Sequence, residues 1–137
     1  VKSKLETVVI FVDTSGSIGG ALLSFFKDKC NEVLLMDEPP EHIYIVYADA
    51  AVRRVDEFTD GQIDFRPCGG GGTMFGPSFR WVEDNDIQPS VAIYLTDLYG
   101  SDNNSIPEPS YPVLWVAPIQ SPLEGPFGQT VKIDPYF

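Results

Sequence analysis

The order of apolar and polar residues at the start of the chain predicts a buried strand followed by an amphipathic helix. Residues 5–12 are largely apolar, which is typical of a central strand that is buried on both faces of its sheet. From Ile18 to Leu35 the apolar residues recur every three or four positions, and this spacing predicts an amphipathic helix. Pro39 and Pro40 end whatever remains of that helix, because proline lacks the backbone N–H that a helix needs.

The segment HIYIVYADAAVRRVDEF, residues 42–58, predicts two strands joined by a tight turn around Asp49. The first strand is apolar throughout, whereas the second alternates polar residues with Val52 and Val55 less regularly. We expect the two strands to pair antiparallel, because a parallel crossover needs about a dozen residues or more.

A glycine run at 69–72 precedes a second predicted helix, which extends from about Phe75 to Asp84. Thr73 is the expected N-cap, and Pro77 falls in the first turn, where proline is tolerated. Further strands are predicted at 91–96, 113–117 and 130–133. The connection between the first two of these strands is rich in proline and has no helical period.

In this order the elements predict one α/β domain over residues 1–137, with a mostly parallel sheet and one antiparallel edge strand. In such sheets ligands bind beyond the carboxyl ends of the strands, at the point where the strand order reverses. Asp13 lies at the end of the first strand and Asp97 follows the fourth. We therefore expect the two carboxylates to converge if the first and fourth strands are neighbours.

Charge narrows the choice of partner. Twenty acidic against nine basic residues give a net charge of −11, which repels nucleic acid and anionic membranes and favours cations or basic protein surfaces. No apolar run approaches the roughly 18 residues that span a membrane.

Two cysteines make no disulfide framework, so we expect reduced thiols and a cytoplasmic location. The chain begins without an initiator Met, which we interpret as a domain excised from a longer protein.

Oxygen-bearing side chains are concentrated where the first strand ends. Asp13, Ser15 and Ser17 alternate along one extended turn, so their oxygens can face a single point. Thr73 can add a hydroxyl, because the preceding glycines let the backbone come close, and Asp97 can add a carboxylate. Magnesium prefers oxygen ligands in octahedral geometry, so the set predicts a site for Mg²⁺ or Mn²⁺. The simpler alternative is a polar turn that starts a helix.

Three segments in sequence order, DTSGS, GGGGT and YLTDLYG, resemble the metal-ion-dependent adhesion site of von Willebrand factor A (VWA) domains and integrin I domains. With YADAAV, PVLWV and PFGQTVKI, the chain more closely resembles the C-terminal VWA-like domain of predicted bacterial metallopeptidase-like proteins. The resemblance implies a three-layer, Rossmann-like VWA fold. It also implies a divalent cation that Ser15 and Ser17 bind directly, and that Asp13, Thr73 and Asp97 bind directly or through water.

The same resemblance implies a non-catalytic protein-binding domain whose open coordination position accepts a carboxylate from a partner protein. The zinc peptidase segment of the family would lie upstream of Val1. This chain has one histidine and no HExxH motif, so we expect no peptidase activity in the domain itself. A weaker implication is joint action with a MoxR-type AAA+ ATPase.

The sequence departs from the fuller VWA pattern in its connections. Proline-rich loops follow the fourth and fifth strands, where VWA domains usually have helices, and no helix follows the last strand. Right-handed crossovers place the two predicted helices on opposite faces of the sheet. We therefore expect an apolar patch on the face of the first helix, covered by an upstream domain of the same protein or by a partner.

Two other functions stay open. A metal-dependent, phosphatase-like hydrolase also begins with an Asp after its first strand, but such enzymes need a second acid two residues later, and that residue is Ser15 here. A vestigial scaffold would keep the fold without the metal.

Asp49 and Asp102 lie on turns that could face the same edge, and we expect both to be solvated turn carboxylates.

Overall fold

The computed structural model describes residues 6–15, 20–34, 40–58, 71–102 and 105–134. These residues form, in chain order, β1 (Thr7–Asp13), α1 (Gly20–Leu34), β2 (His42–Ala48), β3 (Val52–Phe58), α2 (Gly76–Asp84), β4 (Val91–Leu95), β5 (Val113–Pro118) and β6 (Gln129–Ile133). The sheet has the order β3-β2-β1-β4-β5-β6, in which β3 is antiparallel and every other described pair is parallel. The predicted α/β class and the antiparallel edge strand are confirmed.

Strand β1 lies between β2 and β4 near the middle of the sheet. Residues 8–12 are at most 1% exposed, which explains why nearly every position of this strand is apolar. Val12 pairs in register with Leu95, and Asp13 pairs with Ala48. The expectation that the first and fourth strands are neighbours is therefore confirmed.

The two helices cover opposite faces of the sheet, as the right-handed crossovers predict. Leu22 and Phe26 of α1 pack in one core, which includes Ile10 of β1. Phe79 of α2 packs in the other core, which includes Phe11 of β1. Because successive residues of a strand point to opposite faces, β1 contributes to both cores.

Aromatic side chains dominate the core beneath α2. Tyr94 and Trp115 stack with their ring centroids 4.9 Å apart, and Phe75 and Phe79 meet both of these rings. Trp115 Nε1 donates a hydrogen bond to the carbonyl oxygen of Phe127, 2.8 Å away, so the indole N–H is satisfied although the side chain is buried. This packing fixes α2 and the loop before it on the sheet.

Helix α1 covers only part of its face of the sheet and leaves apolar side chains of β4, β5 and β6 partly exposed. Ile93, Val116 and Ile133 are half-buried at the margin of the α1 core, and Val131, the register partner of Val116, is 42% exposed. In the described part of the chain no helix lies between β4 and β5 or between β5 and β6. The predicted shortage of helices is confirmed there, while the upstream domain or partner that would cover this face stays a prediction.

Two further findings concern the helices. The prediction that Thr73 caps α2 is wrong: the N-cap is Phe75, whose backbone is already helical at φ −89° and ψ −27° and whose side chain makes no capping hydrogen bond. Among the described residues, no helix is long and apolar enough to cross a membrane.

Candidate metal centre

The candidate site lies at the carboxyl ends of β1 and β4. Asp13 is the last residue of β1, and Thr96 and Asp97 directly follow β4. Because the two strands are parallel neighbours in register, their ends meet at the same edge of the sheet. Thr96 Oγ1 donates a hydrogen bond of 2.6 Å to Asp13 Oδ2, which joins the two strand ends directly.

Asp13 is fully buried, and both of its carboxylate oxygens accept hydrogen bonds. The backbone N–H of Ser15 donates to Oδ1 over 2.9 Å, and the Thr96 hydroxyl donates to Oδ2. Burial raises the pKa of Asp13 above its ordinary value of 3.8, the charge of Asp97 adds to the rise, and the hydrogen bonds from Ser15 and Thr96 oppose it. The site thus holds two neighbouring acids, one of them out of contact with solvent.

A tight turn after β4 places Asp97. Its Oδ1 accepts the backbone N–H of Tyr99 over 3.2 Å, and its carbonyl oxygen accepts the Ser121 hydroxyl over 2.7 Å. The next residue, Leu98, has φ +75°, a left-handed conformation that is uncommon for a side chain of this size. Leu98 is fully buried and donates its N–H to Thr96 Oγ1 over 3.1 Å, so packing and a hydrogen bond hold it there.

Thr73 lies in the loop that precedes α2 and is 9% exposed. Its carbonyl oxygen accepts the N–H of Ser101 over 3.0 Å and the Ser101 hydroxyl over 3.3 Å. These bonds attach the Thr73 loop to the segment that follows β4, and so to the strand end that carries Asp97. The loop is therefore brought to the same edge of the sheet as Asp13.

Four of the five residues predicted to bind metal, Asp13, Ser15, Thr73 and Asp97, are described, and each is at most 9% exposed. The fifth, Ser17, lies outside the described residues. Buried polar side chains are unusual unless they are paired or bind something, so this concentration at one edge marks the best candidate site of the domain.

The expectation that Asp49 is a solvated turn carboxylate is wrong. Asp49 follows β2 and is 2% exposed. Its Oδ1 accepts Arg53 Nε over 2.8 Å and the N–H of Ala51 over 3.2 Å, and its Oδ2 accepts the N–H of Gly71 over 3.1 Å. Burial alone raises the pKa of Asp49, but these hydrogen bonds and the charge of Arg53 outweigh it and hold the pKa below 3.8.

Asp102 is also engaged, contrary to the same expectation. Its Oδ1 accepts the N–H of Phe75 and its Oδ2 accepts the N–H of Gly76, each over 2.8 Å. It thereby satisfies free N–H groups at the start of α2, the role expected of Thr73. The sequence signal for either carboxylate is an acidic residue in a turn, which does not reveal a partner 22 to 27 residues away.

The donor set fits a small hard cation. All the predicted ligand atoms are carboxylate or hydroxyl oxygens, the kind that magnesium prefers, and Thr14 Oγ1 at the same edge is a further buried oxygen with no hydrogen-bond partner. In the described parts of the chain no three His, Cys, Asp or Glu side chains group to hold a metal. The site therefore needs hydroxyl oxygens and water beside its two carboxylates, and Mg²⁺ usually keeps several waters.

The sheet order and the opposed helices define an α/β domain of the doubly wound kind, and the polar cluster beyond β1 and β4 lies at the reversal of strand order. A family model described as VWA-like domain (DUF2201) matches residues 8–134, so the chain belongs to that family. VWA-like domains are often protein-interaction modules. A search of curated proteins found no match to the chain.

Proposed function

We propose that this domain is a non-catalytic protein-binding module that depends on a divalent cation. Asp13, Ser15, Ser17, Thr73 and Asp97 would hold Mg²⁺ or Mn²⁺, directly or through water. The observation that carries the proposal is the wholly buried carboxylate of Asp13, bonded through Thr96 to the strand end that bears Asp97.

The electrostatics of this edge support a cation. Burial is the main cause of the raised pKa of Asp13, and repulsion from the charge of Asp97 adds to it, so the charged form of Asp13 is disfavoured at this edge. A divalent ion beside both carboxylates would reverse the sign of this interaction, because it favours the charged form of each acid. The hydrogen bonds to Asp13 leave carboxylate lone pairs available, since each oxygen can accept more than one bond.

The bound cation would supply an open coordination position that a carboxylate of a partner protein fills. That partner must approach a domain with a net charge of −11, so we expect basic or apolar side chains around its acidic residue. The resemblance to metallopeptidase-like proteins further suggests, as partners, an upstream domain of the same protein and a MoxR-type AAA+ ATPase. We expect any peptidase chemistry to lie outside this domain.

The phosphatase-like alternative has less support. A general acid two residues after the nucleophile would have to reach the leaving group, and Ser15 occupies that position. The side chain of Ser15 ends in an aliphatic hydroxyl, which is a far weaker acid than a carboxylic acid, so this position lacks the general acid that the reaction needs. A scaffold without metal is the alternative that the experiment must separate from the proposal.

The test is a thermal unfolding series of the wild type and Asp13→Ala, each with EDTA, Mg²⁺, Mn²⁺ or Ca²⁺. A cation at ten times its dissociation constant should stabilise the folded wild type by about 1.4 kcal/mol, or a few degrees in Tm for a domain of this size. Asp56→Asn is a matched control, because Asp56 belongs to β3 and pairs with Arg54 in the β2–β3 hairpin.

A shift with Mg²⁺ or Mn²⁺ in the wild type and in Asp56→Asn, but not in Asp13→Ala, is the expected result. No shift in any variant, even at millimolar cation, would contradict the proposal and favour the scaffold. An equal shift in all three variants would place the cation elsewhere and would contradict it as well.

A further inference from the structure

The loop 71–76 is bonded on one side to the residue that follows β2. Gly71 donates its N–H to Asp49 Oδ2 over 3.1 Å, and Met74 donates its N–H to the Asp49 carbonyl oxygen, also over 3.1 Å. Asp49 itself is held by the Arg53 guanidinium. One buried residue thus fixes the loop on both sides of Thr73.

On its other side the loop is bonded to the segment that follows β4. Phe75 and Gly76 donate their N–H groups to the two oxygens of Asp102, each over 2.8 Å. Thr73 contributes its carbonyl oxygen to Ser101. Four backbone N–H groups of the loop, those of residues 71, 74, 75 and 76, therefore end on Asp49 or Asp102.

The two attachment points lie on either side of β1. Strand β2 is one neighbour of β1 and β4 is the other, and all three run parallel. We therefore expect a loop bonded to the segments that follow β2 and β4 to pass over the end of the strand between them, where Asp13 lies. The position of Thr73 relative to Asp13 would then depend on Asp49 and Asp102, which hold the loop at its two ends.

The glycines of the loop match this arrangement. A Cβ at Gly71 would lie 3.3 Å from Asp49 Oδ2, and a Cβ at Gly76 would lie 2.9 Å from Asp102 Oδ2. A Cβ at Gly72 would meet nothing within 4 Å. A side chain would therefore crowd a carboxylate at Gly76 and would be tight at Gly71, whereas Gly72 has room for one.

We infer that Asp49 and Asp102 are positioning residues that hold the Thr73 loop over the end of β1, and that this placement lets Thr73 serve the cation site. The part that concerns the cation rests on the proposed function. Each carboxylate accepts hydrogen bonds on both of its oxygens, whereas Asn would offer one oxygen and turn an NH₂ group toward a donor. Asp→Asn therefore removes one accepted bond and sets two donors against each other.

The experiment compares Asp49→Asn and Asp102→Asn with the control Asp56→Asn in two measurements. The first is amide hydrogen exchange of residues 71, 74, 75 and 76 by NMR in EDTA, which needs no metal. We expect exchange at least tenfold faster at residue 75 or 76 in Asp102→Asn and at residue 71 in Asp49→Asn. Residue 74 donates to the backbone carbonyl oxygen of Asp49, so its exchange should change less. Asp56→Asn should match the wild type, because the bond of Asp56 to Arg54 lies within β3.

The second measurement is the dissociation constant for Mn²⁺, followed by the electron spin resonance of the free ion. Replacing a residue that orients a metal ligand, without binding the metal itself, typically lowers metal affinity by roughly 10- to 100-fold. We expect at least a tenfold rise in Kd for Asp49→Asn and for Asp102→Asn, and no change for Asp56→Asn.

A second pair of variants keeps both carboxylates, so it tests the same role if Asp49→Asn or Asp102→Asn does not fold. Gly76→Ala should raise the Mn²⁺ Kd and speed exchange at residue 76, because its Cβ crowds Asp102. Ala normally stabilises a helix relative to Gly, so helix propensity cannot explain weaker Mn²⁺ binding or faster exchange in Gly76→Ala. Gly72→Ala should behave as the wild type.

The outcomes separate the two proposals. Unchanged exchange in Asp49→Asn and Asp102→Asn would overturn the positioning role, and faster exchange with an unchanged Mn²⁺ Kd would overturn its link to the cation. If the wild type binds no Mn²⁺, the proposed function fails, and the exchange data alone then decide whether the two carboxylates hold the loop.

Discussion

Replacing Tyr94 by Phe should destabilise the domain, although the change removes only one oxygen atom. Tyr94 lies on β4 beneath α2 and is 1% exposed, and its hydroxyl is 3.0 Å from the Oγ of the fully buried Ser78 on α2. Burial raises the pKa of Tyr94 well above its ordinary value of 10.0, so the hydroxyl stays protonated at any pH at which the protein is handled. The pair is thus a neutral hydrogen bond that joins a helix to the sheet.

The expected loss of stability in Tyr94→Phe can be estimated from the Ser78 hydroxyl, which loses its hydrogen-bond partner. Phe at position 94 keeps the ring contacts with Trp115 and Phe75 but leaves the Ser78 hydroxyl buried without a partner. An unsatisfied buried hydroxyl costs about 1–3 kcal/mol, and Ser78→Ala should cost a similar amount by stranding the Tyr94 hydroxyl. The double variant removes both polar groups, so its loss should be smaller than the sum of the single losses by about 1 kcal/mol or more.

The assay is urea unfolding of the wild type, the two single variants and the double variant, with the m value checked for constancy. Each kcal/mol should also lower Tm by about 4 °C. Tyr99→Phe is the matched control, because Tyr99 is 56% exposed and loss of its hydroxyl should change stability by no more than about 0.5 kcal/mol. Strictly additive losses, or single losses as small as that of the control, would refute the reasoning.

Two further predictions concern the loops at the same edge. Gly100→Ala should cost about 1–3 kcal/mol by overpacking, because a Cβ at Gly100 would overlap the ring of Phe75. Gly72→Ala is its control, and equal urea midpoints for the two variants would speak against the packing argument. Asp49 should make stability depend on acid: its pKa is held below 3.8 in the folded state by Arg53 and backbone N–H groups, although burial opposes this. The unfolded chain therefore takes up the proton more readily, so the stabilisation is complete above that ordinary pKa and is lost as pH falls through the lower folded value. Asp49→Asn should thus lose most at about pH 7 and progressively less below about pH 4, and a loss independent of pH would contradict the assignment.

The order of elements could be predicted because it depends on local pattern. The apolar run of β1 reflects burial on both faces, and the helical spacing of 18–35 reflects one face against the sheet, so each pattern carries its own structural cause. The antiparallel pairing of β2 with β3 followed from the length of their connection. Boundaries moved by one or two residues, as at the start of α2, because helix ends depend on which N–H groups find acceptors.

The roles of Asp49 and Asp102 could not be predicted. An acidic residue in a turn has the same local sequence whether it is solvated or buried against a distant loop, so the pattern carried no sign of their partners. Thr73 was expected to cap α2 because threonine is a common N-cap, yet Asp102 supplies the acceptor from 26 residues away. A contact over that separation exists only after the sheet has brought β4 beside the loop.

The sequence by itself determined the fold class, the family pattern and the kinds of atom available at the site, because periodicity and residue type are local properties of the chain. The tertiary structure alone decided that β1 and β4 are neighbours, that Thr96 joins Asp13 to the end of β4, and that the Thr73 loop is held from both sides of β1. Those features depend on strand order and on hydrogen bonds between distant residues. Their physical origin is the packed sheet, which fixes groups that chain connectivity leaves far apart.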